Sequence, residues 1–391
     1  MALAALAAPR LAPTGAAGEG EILEYARALV DFAEGRAGAP AAPPSRLSLS
    51  ELEAAIRRLG RDPGEVLRRV RERLAGGAPA LAEAPASPRA EPDTPEARRL
   101  KLERMKPYLD IAQNRQLLET AERHAERLAR SALSPKRGRT TILKPGNRKL
   151  SSKILIFNLP DAFTCPTPSP SCLAFCYAKP AKSANPKSTS LARYARYLLT
   201  RGVALREGGE ERFHRFADIV SAELRKWLGS RSRRPIAVRI HESGDFYSPE
   251  YFEEWLEVAR RFPELTFYAY TKAWDIVLSR LKELPSNFVI IFSLDKTNFQ
   301  KLREALPRVQ EARRLGKRVG FSYVDTRTEE DRKNLEELEK AFGEVYECPA
   351  TNPEKKRQLL EKAGGGKGLK ICGDICTYCS TDPKVVKFNV H

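Results

Sequence analysis

Hydrophobic positions recur along this chain with two periods, and the change of period marks a change of architecture. Ile22, Leu23, Tyr25, Ala26, Leu29, Val30, Phe32 and Ala33 fall at helical spacing, and the Gly, Ala and Pro stretch from Gly35 to Pro44 ends the run. Leu52, Ala55, Ile56 and Leu59 line a second helix, Gly60 to Pro63 makes a turn, and Val66, Leu67, Val70 and Leu74 line a third. This is a helix-turn-helix pattern in the broad sense. The pattern predicts a disordered tail at 1–20, a small helical module at 21–75, an Ala/Pro linker at 76–97, and a helical, basic connector at 98–142. In the connector Leu117, Leu118, Ala121, Ala125 and Leu128 share one stripe, which Pro135 stops.

From residue 143 the period alternates. Apolar, β-branched and aromatic runs predict strands at 154–159, 236–241, 265–270, 288–294, 318–324 and 344–348. Helical patterns fill the gaps, at about 191–228 in two pieces, 249–261, 273–283, 297–315 and 328–342. Six strands joined by helical crossovers predict an α/β domain over 143–349. Either a partial (β/α)6 barrel or an open parallel sheet satisfies that order, and both keep their chemistry at the C-terminal strand ends. Residues 350–391 read as a cysteine-rich tail.

Charge and cysteine usage sharpen the picture. Lys and Arg number 68 against 50 Asp and Glu, a net +18, which suits polyanionic partners such as DNA or RNA. Arg68, Arg69, Arg71 and Arg73 on the third helix, with Lys136, Arg137 and Arg139 in the connector, could contact phosphates or form a solvated face. No run of eighteen apolar residues occurs, so no membrane span is expected and a cytoplasmic location is. There, clustered cysteines favour metal ligation over disulfides.

The seven cysteines divide into three and four. Cys165, Cys172 and Cys176 follow the first strand, on a loop stiffened by Pro166, Pro168 and Pro170, with spacing that lets thiolates surround one metal centre. A redox-active cluster with an open iron is one reading. A zinc-stapled loop, with His241 as fourth ligand, is the other. Cys348, Cys372, Cys376 and Cys379 can close a site alone, as a zinc knuckle or a fully ligated 4Fe-4S cluster, and Asp374 and glycines 364–366 suit a tight ligand loop. The second strand is followed by His241, Glu242, Ser243, Gly244 and Asp245, a tight turn that Gly244 permits before Ser248 and Pro249 start a helix. Asp245 could bind a ligand amine or ribose hydroxyls, or be tied to loop amides. Lys272 and Asp295, at the third and fourth strand ends, are the catalytic candidates. Phe267, Tyr268, Tyr270, Trp255 and Trp274 fit a core or a stacking platform.

Three stretches, Cys165 to Ala178, Arg239 to Ser248 and Phe267 to Lys272, resemble the phage gene-product-eighty-eight family over about residues 143–391. More distantly, the cysteines after the first strand, a Gly-Gly-Glu-like element after the second and Ser293-Leu294-Asp295 after the fourth resemble the radical SAM superfamily. That resemblance implies a 4Fe-4S cluster on Cys165, Cys172 and Cys176 that binds S-adenosyl-L-methionine (SAM), with Glu242, Ser243, Gly244 and Asp245 receiving the SAM amino group, an auxiliary cluster in the tail, and an electron donor as partner. The spacing departs from the superfamily's, since CxxxCxxC occurs only at Cys372, Cys376 and Cys379. The expectation is an iron–sulfur enzyme of radical SAM type acting on a nucleic acid or nucleotide-derived substrate. Its alternative is a non-enzymatic, metal-stapled nucleic-acid-binding protein of a phage or mobile element.

Overall fold

The structure is a computed structural model describing residues 19–34, 36, 49–76, 94–134, 141–176, 178, 184–230, 234–364 and 368–389. Residues 1–18 of the expected tail, most of both expected linkers, Gly365, Gly366, Lys136, Arg137 and Arg139 lie outside them, as do the side chains of Arg68, Arg71 and Arg73. In chain order the elements are α1 (Glu19–Ala33), α2 (Leu49–Arg58), α3 (Pro63–Gly76), α4 (Pro95–Gln113), α5 (Arg115–Leu133), β1 (Lys144–Pro145), β2 (Ile154–Phe157), α6 (Pro170–Phe175), α7 (Pro186–Thr200), β3 (Val203–Glu207), β4 (Glu210–His214) and α8 (Phe216–Leu228). They continue as β5 (Ala237–Ile240), α9 (Pro249–Arg261), β6 (Thr266–Thr271), α10 (Trp274–Leu278), β7 (Phe288–Leu294), α11 (Lys301–Arg314), β8 (Arg318–Asp325), α12 (Glu329–Phe342), β9 (Tyr346–Glu347), α13 (Pro353–Lys362) and β10 (Val385–Asn389).

Two compact units divide the chain, residues 1–90 with 199–216, and 91–198 with 217–391. In the first, the apolar positions of α1, α2 and α3 form one core around Ala26, Leu29, Leu52, Ile56 and Val70. The same unit holds the β3–β4 hairpin, where two pieces of helix were expected to run on from 191 to 228. Gly208 and Gly209 explain the difference: both take positive φ, the conformation a two-residue hairpin turn demands.

The second unit is built on an eight-stranded sheet in the order β1-β2-β5-β6-β7-β8-β10-β9, parallel except for β1. It does not close on itself. From β2 to β8 the order follows the sequence without reversal. The expected sixth strand shrinks to Tyr346–Glu347 at the edge, and β10, from the expected tail, takes the place beside β8. Val385 and Val386 are both fully buried there, which only an inserted strand allows.

The two faces of this sheet differ. On one, Phe157, Phe267, Phe288, Phe292 and Phe321 receive the rings of Trp255 and Phe252 from α9, Trp274 from α10 and Phe342 from α12. On the other, register aligns Ile156, Arg239, Tyr268 and Val289, then Tyr270 and Ile291, then Ser293 and Ser322. Trp255 and Trp274 are therefore core, whereas Tyr268 and Tyr270 face the opposite way. α9 starts as its sequence predicts, with the Ser248 hydroxyl accepting from the Tyr251 amide and Pro249 in the first turn.

The connector breaks at Asn114, whose side chain caps α5 by accepting from the Leu117 amide. Ala121, Ala125 and Leu128 are buried as expected, but Leu117 is 40% exposed because that cap puts it in the open first turn.

Trp255 is wholly buried between α9 and the sheet. Trp255→Ala is expected to cost about 3–5 kcal/mol, read as a lower midpoint in denaturant unfolding.

Candidate functional site

The polar face of the sheet lines a cavity of about 590 Å³, and all seven cysteines open onto it. So do Glu242, Ser243, Gly244, Asp245, Lys272 and Asp295. The residues singled out from the sequence therefore converge on one space.

The triplet loop is held by buried carboxylates. Cys172 N donates to Ser169 Oγ (3.1 Å), which caps α6, and the Ser169 hydroxyl donates to Asp295 Oδ2 (2.6 Å). Lys272 Nζ donates to the same Oδ2 (2.8 Å) and to Ser293 O (3.1 Å), while Thr167 Oγ1 donates to Lys272 O. Burial pushes the Asp295 carboxyl up, but the Lys272 ammonium and the Ser169 and Thr297 hydroxyls together hold it below its ordinary value. Asp295 is thus an ionised anchor. On the other side, Arg104 of α4 donates to Cys172 O (3.1 Å), Leu173 O (2.8 Å) and Asp161 Oδ2 (2.7 Å), and its charge interacts with Cys176. Tyr108 (2.8 Å) and Arg193 (3.0 Å) donate to Asp161 Oδ1.

The turn after β5 explains its own sequence. Gly244 has φ +83°, and a Cβ there would stand 2.5 Å from Leu159 Cβ and 2.6 Å from Thr164 Oγ1. Asp245 is buried and accepts from Phe246 N (2.8 Å), Thr271 Oγ1 (2.7 Å) and Lys272 N (2.7 Å). Its carboxylate is engaged with loop amides and a hydroxyl, and burial raises its pKa to about 6 against those donors. Ser243 Oγ donates to Leu159 O (2.8 Å). Glu242 is half-buried, and its oxygens accept from the amides of Asn147 and Asn158. His241, also at positive φ (63°), bonds Tyr251 Oη through Nε2 (2.7 Å), while Nδ1 has no protein partner. Its ring packs against Phe157, Phe246 and Tyr251, and this burial lowers its pKa to about 3.

The four-thiol group lies against the sheet itself. Cys372 and Cys379 pack on Ile154, Tyr268 and Ile291. Leu150 and Cys372 form a parallel bridge, with Ser151 N donating to Cys372 O (2.8 Å). Gly373 (φ +98°) must be glycine, since a Cβ would meet Ile154 Cδ1 at 2.7 Å. Asp374, expected in a ligand loop, anchors that loop by accepting from Ser151 Oγ (2.7 Å) and Lys370 N (3.0 Å). Tyr270 packs on the same cluster as Cys379, and Tyr346 Oη lies 3.5 Å from Cys376 Sγ. Burial pushes the thiols of Cys172 and Cys379 up to about 12 and of Cys372 to about 11, and raises Cys165 and Cys348. Among the described residues, no three His, Cys, Asp or Glu side chains are drawn together as a ready site for a metal ion.

Arg104, Tyr108, Asp161, Ser169 and Arg193 escaped the sequence reading, because nothing local marks a lone Arg or Asp as a clamp. Ser169 alone carried a signal, an N-cap before Pro170.

Two outcomes follow from these buried charges. Lys272→Met leaves Asp295 buried without its cation and is expected to cost about 3–5 kcal/mol, whereas the double variant Lys272→Met/Asp295→Leu regains more than half of it; denaturant unfolding of all four proteins checks this. His241 takes up a proton near its ordinary pKa only when unfolded, so it contributes stability above about pH 6.5 that is lost as pH falls toward 3. Between pH 7 and pH 5 that loss is about 2 kcal/mol, and His241→Asn is expected to reduce the measured fall in unfolding free energy by that amount.

Comparison with known proteins gives the kinship. The "Gene 88 protein" of Mycobacterium phage D29 is 29% identical over 228 residues, 57% of this chain and 85% of that protein. The "Gene 88 protein" of Mycobacterium phage L5 is 27% identical over 230 residues, 57% of this chain and 84% of that protein. No solved structure matches. Residues 129–381, which hold all seven cysteines and the polar strand ends, match the family described as Gene product 88, and the chain belongs to that family.

Proposed function

We propose that this protein is an iron–sulfur enzyme of radical SAM type whose substrate is a nucleic acid or is derived from a nucleotide. The observation that carries the reading is the convergence of seven cysteines, as a three and a four, on one cavity at the polar face of the sheet. Sequential strand order and aromatic helix packing on the opposite face support a partial barrel, which keeps its chemistry inside.

In number, the thiols match the ligands of two clusters. Three thiols leave one iron of a four-iron cluster without a protein ligand, and four close the other. Tyr346 Oη lies 3.5 Å from the sulfur of Cys376 and the Arg104 charge interacts with Cys176, the kind of surrounding that steadies ligated thiolates. When bound, the open cluster supplies a site for SAM and the electron that cleaves it. The chain's own residues do the rest. Glu242, held by Asn147 and Asn158, offers a carboxylate to the SAM amino group. Asp245 acts behind it, fixing the Lys272 amide and the Thr271 hydroxyl. Lys272 and Asp295 form a buried pair that can hold a proton or a polar substrate group at the cavity wall. The net +18 supports a polyanionic substrate or partner.

Anaerobic purification tests this directly. The expected protein is brown, with iron and sulfide near two four-iron clusters, and Cys172→Ser retains the tail cluster alone. Glu242→Gln in reconstituted protein is expected to weaken SAM binding by calorimetry at least about tenfold. Colourless protein holding one or two zinc ions would instead make the chain a metal-stapled binding protein.

A further inference from the structure

Helix α4 lies wholly outside the segment 129–381 that matches the family, yet it reaches the triplet. Arg104 is the point of contact. Its side chain is 10% exposed and Asp161, 2% exposed, neutralises it at 2.7 Å. One terminal nitrogen of its guanidinium holds the carbonyls of Cys172 and Leu173, at the open end of the short helix α6, and its charge interacts with Cys176. α6 has six residues and cannot hold itself in place by its own hydrogen bonds. Its N-terminus is fixed by Ser169 and Asp295, and its C-terminus by Arg104. The last residue of the triplet, Cys176, is the C-cap of that helix, its amide bonded to Cys172 O at 3.0 Å. The carbonyl that orders Cys176 is therefore the one Arg104 grips.

We propose that Arg104 is a positioning residue for the triplet: the segment preceding the family domain supplies a guanidinium that orders Cys172 to Cys176 and sets a positive charge near Cys176 in whatever group those thiols hold. Asp161 and Arg193 complete the clamp by joining α4 and α7 to the loop, with Arg193 also donating to Ala178 O (2.7 Å). A lysine could supply the charge but not the fork that spans the carbonyls and Asp161. This rests on the reading of the triplet as an iron–sulfur site only for the electronic half; the ordering half stands on the geometry of the thiols alone.

The test uses full-length protein carrying Arg104→Gln or Arg104→Lys. In metal-free protein, hydrogen exchange of the amides at 169–176 is expected to become about tenfold faster or more in Arg104→Gln, while those at 384–389 in β10 keep their rates. In anaerobically reconstituted protein with Cys376→Ser and Cys379→Ser, which leaves the triplet alone, Arg104→Gln is expected to lower iron content and to move the midpoint potential of the remaining cluster downward, because a nearby positive charge stabilises the reduced form. Arg104→Lys is expected to fall between Gln and wild type in both. Unchanged exchange at 169–176 together with a wild-type potential in Arg104→Gln would overturn the proposal. If wild-type protein takes up no iron, the iron–sulfur reading fails while the exchange experiment still decides the role of Arg104. If Arg104→Gln does not fold, Arg104→Lys, which keeps the buried charge beside Asp161, carries the same two measurements.

Discussion

A sheet with aromatic helices against only one face leaves the other face to be covered, and this constraint organises the second unit. On the uncovered face stand Arg239, Tyr268, Tyr270, Ser293 and Ser322, too polar to pack a helix and too buried to be left to water without cost. The C-terminal segment meets the need. It bridges Leu150 through Cys372, packs Cys372 and Cys379 over Ile154 and Ile291, and then enters the sheet as β10. Gly320 shows how close the crossing is, since a Cβ there would stand 2.0 Å from Pro383 O. Cys372, Cys376 and Cys379 are placed where they are because the chain must cross that face to become a strand.

The triplet is placed by charge as well as by packing. Leu173 of its loop is buried with Ala97 and Ala162 against Leu100 and Met105, and the loop is fixed further by two buried carboxylates, each shared between distant elements. Asp295 links β7's end to Lys272 and to the cap of α6, and Asp161 links α4 and α7 to the same loop. Such pairs add little net stability compared with apolar packing, but removing one partner strands the other in the interior. They specify geometry. Asp245 does the same for the turn between β5 and β6, which is why the carboxylate most conspicuous in the sequence serves the backbone while its neighbour Glu242 faces the cavity with amide partners.

Local physics was strong enough for the sequence to determine β7 and α9, whose limits, Phe288–Leu294 and Pro249–Arg261, coincide with the expected ones. An unbroken apolar run and a Ser-Pro start leave those segments no competing conformation. The same holds for the core of α1, α2 and α3, and for Gly244, where one turn admits no side chain. The division of the thiols into three and four was also legible, because ligand spacing is a property of the chain. Tertiary structure alone decided that both groups share a cavity, that β10 displaces the 344–348 segment from its place beside β8, and that Arg104 belongs to the site. The reason is common to all three. Each depends on a pairing between residues far apart in the chain, such as Val386 with Ser322 or Arg104 with Leu173, and the energy of such a contact is written in neither partner's neighbourhood.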